Sequence, residues 1–145
     1  MRLVVQRVLN ASVEVGGRVV GKTSKGLLVL VGVKKGDSKK DAKALAVKLA
    51  KLRVMADEKD KMNLSVRDVN AEVLVISQFT LHADTSGGNR PSFIQVEDPK
   101  AAKQIYEYFV QKLMGEGIKV KTGSFGDYMQ IKTVLDGPVT ILYSD

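Results

Sequence analysis

Gly26-Leu27-Leu28-Val29-Leu30-Val31-Gly32-Val33 contains no charged residue and no side chain able to form a hydrogen bond. Eight such residues are too few for a buried helix and far too few for a membrane span. They suit a strand hidden inside a domain. A second run, Val73-Leu74-Val75-Ile76 within Glu72 to Gln78, has the same character and predicts a strand buried on both faces.

Two helices are expected between and after these strands. Asp37-Ser38 is a good N-cap pair, and Ala42, Leu45, Ala46, Leu49 and Leu52 follow at helical spacing, which predicts a helix over about 39–53. Its other face carries Lys39, Lys40, Lys43, Lys48 and Lys51. That face is either a plain solvated surface or one that meets phosphates. Asp98-Pro99 reads as an N-cap with proline at the first helical position. Ala102, Ile105, Tyr106, Phe109 and Leu113 then trace one face of a second helix, closed by Gly115 and Gly117.

The remaining segments read as strands and loops. Leu3 to Val15 mixes β-branched and polar residues, Gly16-Gly17 makes a hairpin turn, and Arg18-Val19-Val20 begins the return strand. Asp57 to Lys61 and Thr85 to Asn89 are polar loops. Ile118 to Thr122, Tyr128 to Leu135 and Val139 to Leu142 complete seven expected strands, with Asp136-Gly137-Pro138 as the turn between the last two. The pattern is one α/β domain over residues 1–145, without repeats or linkers.

Composition narrows the chemistry. The absence of cysteine removes disulfides, thiol catalysis and thiolate metal sites. With His82 as the sole histidine, neither a protein-built metal site nor a cofactor is expected, and a Ser-His-Asp triad would have to use that one residue. The N-terminus does not read as a signal peptide, no apolar run is long enough to cross a bilayer, and a cytoplasmic protein is expected. The net charge of +7 suits a polyanionic partner or simply a soluble surface.

Candidate chemistry lies where the second buried strand runs out. Ser77-Gln78-Phe79-Thr80 holds two hydroxyls and an amide, yet no base other than His82 stands nearby in sequence to activate either hydroxyl. Backbone N–H groups at this strand end offer an oxyanion hole instead. Arg90 is a candidate for phosphate or carbonyl, or an ordinary loop arginine. Tyr106, Tyr108 and Tyr128 are aromatics able to stack on a base, and Tyr106 falls in the core phase of its helix.

Several segments, in order and at matching spacing, resemble the D-aminoacyl-tRNA deacylase family. They are Gln6-Arg7-Val8, Ala11-Ser12-Val13, the apolar run 26–33, Lys61-Met62-Asn63-Leu64, Ser77-Gln78-Phe79-Thr80-Leu81, Arg90-Pro91-Ser92-Phe93, Tyr108-Phe109-Val110, Thr122-Gly123, Met129-Gln130 and Asp136-Gly137-Pro138-Val139-Thr140. The resemblance implies a barrel-like arrangement of antiparallel and mixed sheets with two helices on one side. It implies hydrolysis of the ester between a D-amino acid and the 3′-terminal adenosine of tRNA, with the RNA 2′-hydroxyl assisting. It further implies a homodimer with the active site at the subunit interface. There a cis Gly137-Pro138 pair, oriented by Arg7, reaches into the other subunit's site and excludes L-amino acids. Glycine, having no side chain to exclude, is expected to leak through. Ser77, Gln78, Phe79 and Thr80 are then expected to frame the ester, with Thr80 as nucleophile the less favoured alternative. His82 inherits no catalytic role. Neither membrane nor DNA is an expected partner. Two other readings remain: a basic tRNA-binding domain without turnover, and an editing domain that selects by side chain.

Overall fold

The computed structural model describes residues 1–144. Its element order is β1 (Arg2–Val15), β2 (Arg18–Thr23), β3 (Gly26–Gly32), α1 (Lys39–Ala50), β4 (Met55–Ala56), β5 (Met62–Leu64), β6 (Glu72–Ser77), α2 (Pro99–Gly115), β7 (Lys119–Thr122) and β8 (Gln130–Ser144). A short 3-10 turn over Phe79–His82 follows β6. The main sheet runs β2-β1-β3-β6-β7, with β8 added to the other side of β1. β3, β6 and β7 are parallel to one another, and the remaining pairs of this sheet are antiparallel. The result is a nearly closed, barrel-like mixed sheet with both helices packed on one side. Among the described residues no helix is long and apolar enough to cross a membrane.

The apolar run that opened the sequence reading is buried on both faces. Leu27, Val29 and Val31 join a core shared with Leu45, Leu49, Phe109 and Leu113 of the helices. Leu28, with Leu30 packed against it, faces a second core built from Val8, Ala11, Val13, Leu74 and Ile76. One strand therefore serves two layers, and this explains why it has no polar alternation. β1 serves both cores by changing phase. Leu3 and Val5 point to the helices, whereas Val8, Ala11 and Val13 point the other way. Val8 faces away from Leu3 and Val5 by ordinary alternation, and Ala11 and Val13 share its face because the register shift between Val8 and Asn10 gives β1 an extra residue there, which turns a two-residue period inside out.

The Gly16-Gly17 turn forms as read, with φ of +56° and +79°, which suits a two-residue hairpin. The first helix ends at Ala50 rather than Arg53, with Lys51 as its C-cap. Ser38 is its N-cap, and Asp41 accepts from the Ser38 amide at 2.8 Å and hydroxyl at 2.6 Å. Asp37 is not part of the cap. Its buried carboxylate takes the Met1 ammonium at 2.5 Å and the Lys34 amide at 2.7 Å.

Asp57 to Lys61 is a loop as expected, and it joins the small hairpin β4–β5, with Asp57 accepting the Lys59 and Lys61 amides. One expectation is corrected. Asp136-Gly137-Pro138 does not separate two strands. Both flanks pair with β1 in one direction, Thr140 opposite Gln6 and Leu135 opposite Val8, so only Arg7 faces the four residues 136–139. The segment is a bulge inside one long strand, since the chain never reverses. The Gly137-Pro138 peptide is cis.

Candidate functional site

The parallel strands β3, β6 and β7 all end at the same edge of the sheet. Ligand crevices form at such carboxyl edges because the chain leaves the sheet there and the loops splay apart. A cavity of about 830 Å³ opens at this edge. Its walls include Val31 near the end of β3 with Lys35 beyond it, Ser77 at the end of β6 with Gln78 and Phe79 beyond it, Phe93, residues 96–99 with Ala102 and Tyr106 at the start of α2, and Phe125 to Met129 after β7.

The ladder extends one residue beyond β6, with the Gln78 amide donating to the Val31 carbonyl at 2.8 Å. The chain then tightens into the 3-10 turn. Within it the Leu81 amide reaches the Gln78 carbonyl at 3.3 Å, and the Ala83 amide reaches the Thr80 carbonyl at 3.0 Å. The opening N–H groups of such a turn, those of Phe79 and Thr80, have no partner inside it. Arg2 braces the turn through the Leu81 carbonyl at 2.5 Å.

The side chains of this segment divide. Ser77, Gln78 and Phe79 line the cavity, whereas Thr80 is exposed and is not part of the wall. The Gln78 side-chain amide donates to the Thr80 hydroxyl at 2.6 Å. An amide donor supplies no base. Phe79 packs edge to face on Phe93 with centroids 5.1 Å apart, although Phe79 remains 55% exposed. Together with Tyr128 these rings give the mouth an aromatic rim open to solvent.

His82 is not on an open loop. It is buried at the end of the turn, away from the cavity wall, and its Nε2 has no hydrogen-bond partner among the described residues. Burial above all holds its pKa below the usual imidazole value, and the nearby Arg2 guanidinium acts in the same direction. Tyr106 is core, as its helical phase predicts, and its hydroxyl donates to the Val75 carbonyl at 2.9 Å. Its ring also packs on Phe125 and forms part of the cavity floor.

Arg7 and the bulge meet toward the other end of β3, since Arg7 pairs with Leu27 whereas the cavity is reached at Val31. Arg7 Nε lies 3.1 Å from the Asp136 carboxylate and donates to the Asp136 carbonyl at 3.3 Å, while Nη1 donates to the Val54 carbonyl at 2.8 Å. Gly137 and Pro138 are exposed beside this guanidinium. They are not in the cavity of their own chain. β8 and β6 are separated by β1 and β3, roughly 14 Å at ordinary strand spacing.

Arg90 is exposed, on a loop closed by paired backbone hydrogen bonds between Asp84 and Ser92 at 2.9 and 2.8 Å. Sequence reasoning missed Lys35, residues 96–99 and most of Phe125 to Tyr128 as cavity walls. A signal existed only for the last group, since aromatics flanking Gly126-Asp127 in a turn are poorly explained by core packing.

Fold and site together define an α/β protein with a strand-edge cavity, an aromatic rim and turn amides, without a paired nucleophile and base among the described residues of the cavity wall. The chain belongs to the D-Tyr-tRNA(Tyr) deacylase family, whose pattern it matches over residues 4–144. A D-aminoacyl-tRNA deacylase of Thermosipho africanus is 53% identical over 142 residues, covering 98% of this chain and 95% of that protein. The D-aminoacyl-tRNA deacylase of Koribacter versatilis is 51% identical with the same coverage. The solved structure of a c-Myc DNA unwinding element binding protein superposes with a TM-score of 0.93 at 38% identity, covering 100% of this chain and 99% of that one. A probable eukaryotic D-amino acid tRNA deacylase shares the fold, with a TM-score of 0.84 at 14% identity over 98% of this chain and 97% of that one.

Proposed function

We propose that the strand-edge cavity receives the 3′-terminal aminoacyl-adenosine of a D-aminoacyl-tRNA and hydrolyses its ester. The observation that carries this reading is a coincidence of place. Ser77, Gln78 and Phe79, inside the span matched to the deacylase family, also form a wall of the cavity.

The chemistry needs little from side chains. An aminoacyl ester is already activated, so a positioned water and a stabilised oxyanion suffice. Water oxygen adds to the carbonyl carbon, and the Phe79 and Thr80 N–H groups hold the developing oxyanion. The C–O bond to ribose then breaks, and the 3′-oxygen leaves with a proton. The products are a free D-amino acid and a tRNA with a free 3′-hydroxyl. The neighbouring RNA 2′-hydroxyl assists in place of a protein base. Thr80 does not serve as nucleophile, because its hydroxyl is occupied by the Gln78 amide and no base stands beside it.

Chirality is read by a second copy of the chain. Gly137 and Pro138 lie far from their own cavity, exposed, on a 15-residue strand whose second edge pairs with nothing among the described residues. Leu142, 69% exposed, and the exposed Val134 and Leu135 leave apolar surface on the same strand. A homodimer through this region delivers the dipeptide to the partner's cavity, with Arg7 fixing its orientation. Its carbonyls hold the α-amino group and leave no room for an L side chain, while glycyl-tRNA passes the filter. The protein works in the cytoplasm on charged tRNA.

The test is ester loss from D-tyrosyl-, L-tyrosyl- and glycyl-tRNA. Rapid loss of the D ester with a spared L ester is expected. Decay of both at the buffer rate would leave only a tRNA-binding domain. Discrimination among L-amino acids would indicate selection by side chain.

A further inference from the structure

The charge of this chain is concentrated in one segment. Residues 34–53 hold eight of the 23 basic side chains and two of the 16 acidic ones, a net of +6 in a chain of net +7. The two acids in that segment are already engaged. Asp37 is buried against the Met1 ammonium, and Asp41 accepts from the Ser38 cap. Arg53 is tied to Asn63 at 2.6 Å. The exposed lysines are Lys35, then Lys39, Lys40, Lys43 and Lys48 on α1, and Lys51 at its C-cap.

This stripe has a starting point and a direction. Lys35 lines the cavity, and α1 begins four residues later. The helix carries the stripe roughly 18 Å from there, at 1.5 Å per residue. Lys39 stands 5.3 Å from the centre of the Tyr108 ring and Lys48 stands 4.7 Å from that of Tyr143. Cation–π contacts of this kind order side chains that would otherwise sweep a wide arc. The cavity wall built by the start of α2 and the segment after β7 has the opposite sign, with Glu97 and Asp98 from the first and Asp127 from the second. A polyanion whose end lies in the cavity is thus repelled on one side and drawn along α1 on the other.

We infer that the lysine face of α1 carries the sugar-phosphate backbone of the tRNA acceptor arm while the terminal aminoacyl-adenosine occupies the cavity. This deepens the deacylase reading and rests on it. The lysines act on binding of the RNA body and take no part in ester cleavage.

Two quadruple variants test it. The first replaces Lys39, Lys40, Lys43 and Lys48 with glutamine. The second replaces Lys22, Lys25, Lys119 and Lys121, which are exposed and belong to the β2 and β7 side of the sheet. Both lose four positive charges. Each is assayed on D-aminoacyl-tRNA and on the D-aminoacyl ester of adenosine alone, and binding of uncharged tRNA is followed by fluorescence anisotropy across a salt series.

For the α1 variant, KM on tRNA is expected to rise about tenfold or more, and the salt slope of tRNA binding to fall by about 2 or more. Cleavage of the adenosine ester is expected to be retained. The control variant is expected to stay within about twofold throughout, because its charges face no phosphates. Equal shifts in both variants, or an unchanged slope in the first, would overturn the inference. Failure of the unmodified protein to cleave either ester overturns the deacylase reading instead, and the anisotropy series then decides the RNA tract by itself.

Discussion

The Gln78 side-chain amide donates to the Thr80 hydroxyl at 2.6 Å, two residues along the turn that closes the cavity wall. The contact orders the turn and leaves Thr80 without a proton acceptor strong enough to activate it. Thr80→Ala removes the hydroxyl but keeps the backbone N–H. Single-turnover cleavage of D-aminoacyl-tRNA should slow by no more than about tenfold, since loss of a true oxyanion or nucleophilic group costs about a hundred- to thousandfold or more. A thousandfold loss would make the hydroxyl a reacting group.

Arg7 and Asp136 hold the bulge of β8 against β1, with side chains 13% and 29% exposed. A double-mutant cycle of Arg7→Ala and Asp136→Ala, read by urea denaturation, should give a coupling of about 1 kcal/mol, at the upper end for partly exposed ion pairs. Additive effects would mean that the pair does not secure the bulge.

β2 and β7 come together through a glycine. A Cβ on Gly21 would enter the Thr122 carbonyl oxygen and crowd the Leu74 side chain. Gly21→Ala should therefore destabilise the protein by about 2 kcal/mol, as overpacking does. Gly16 has open space around it but a φ of +56°, so Gly16→Ala should cost about 1 kcal/mol from backbone conformation alone. Urea midpoints of the two variants check the order, and equal losses would contradict the tight seam.

His82 titrates in a predictable direction. Its folded pKa lies below the usual 6.5, chiefly through burial, so the unfolded chain takes up a proton before the native protein does. Stability from this source is fully present above about pH 6.5 and declines as pH falls from there toward the folded pKa. His82→Gln should flatten that decline. Urea midpoints at pH 7.5 and 5.5, compared for both proteins, decide it, and an identical decline in the variant would rule out His82 as the cause.

Those elements whose cause is local were legible in sequence. The apolar runs at 26–33 and 73–76, the Gly16-Gly17 turn, the Asp98-Pro99 cap and the two helices all follow from neighbours within a few residues. The bulge at 136–139 was not legible, since a turn and a bulge use the same residues and differ only in whether the flanks meet one partner strand or two. The site was half legible. Strand-end logic points to Ser77 to Phe79, but the walls from residues 96–99 and 125–129 depend on which loops converge at one sheet edge. His82 misleads for a related reason, because a polar residue in a loop sequence gives no sign that it is buried.

β1 pairs along its length with β8 and along its two halves with β3 and β2, and its side chains enter both cores. Neither layer can therefore melt while the other stands. Amide protons of Leu3, Val5 and Val13 should exchange only through global opening, at one common free energy, even though the layers they anchor lie on opposite faces of the sheet.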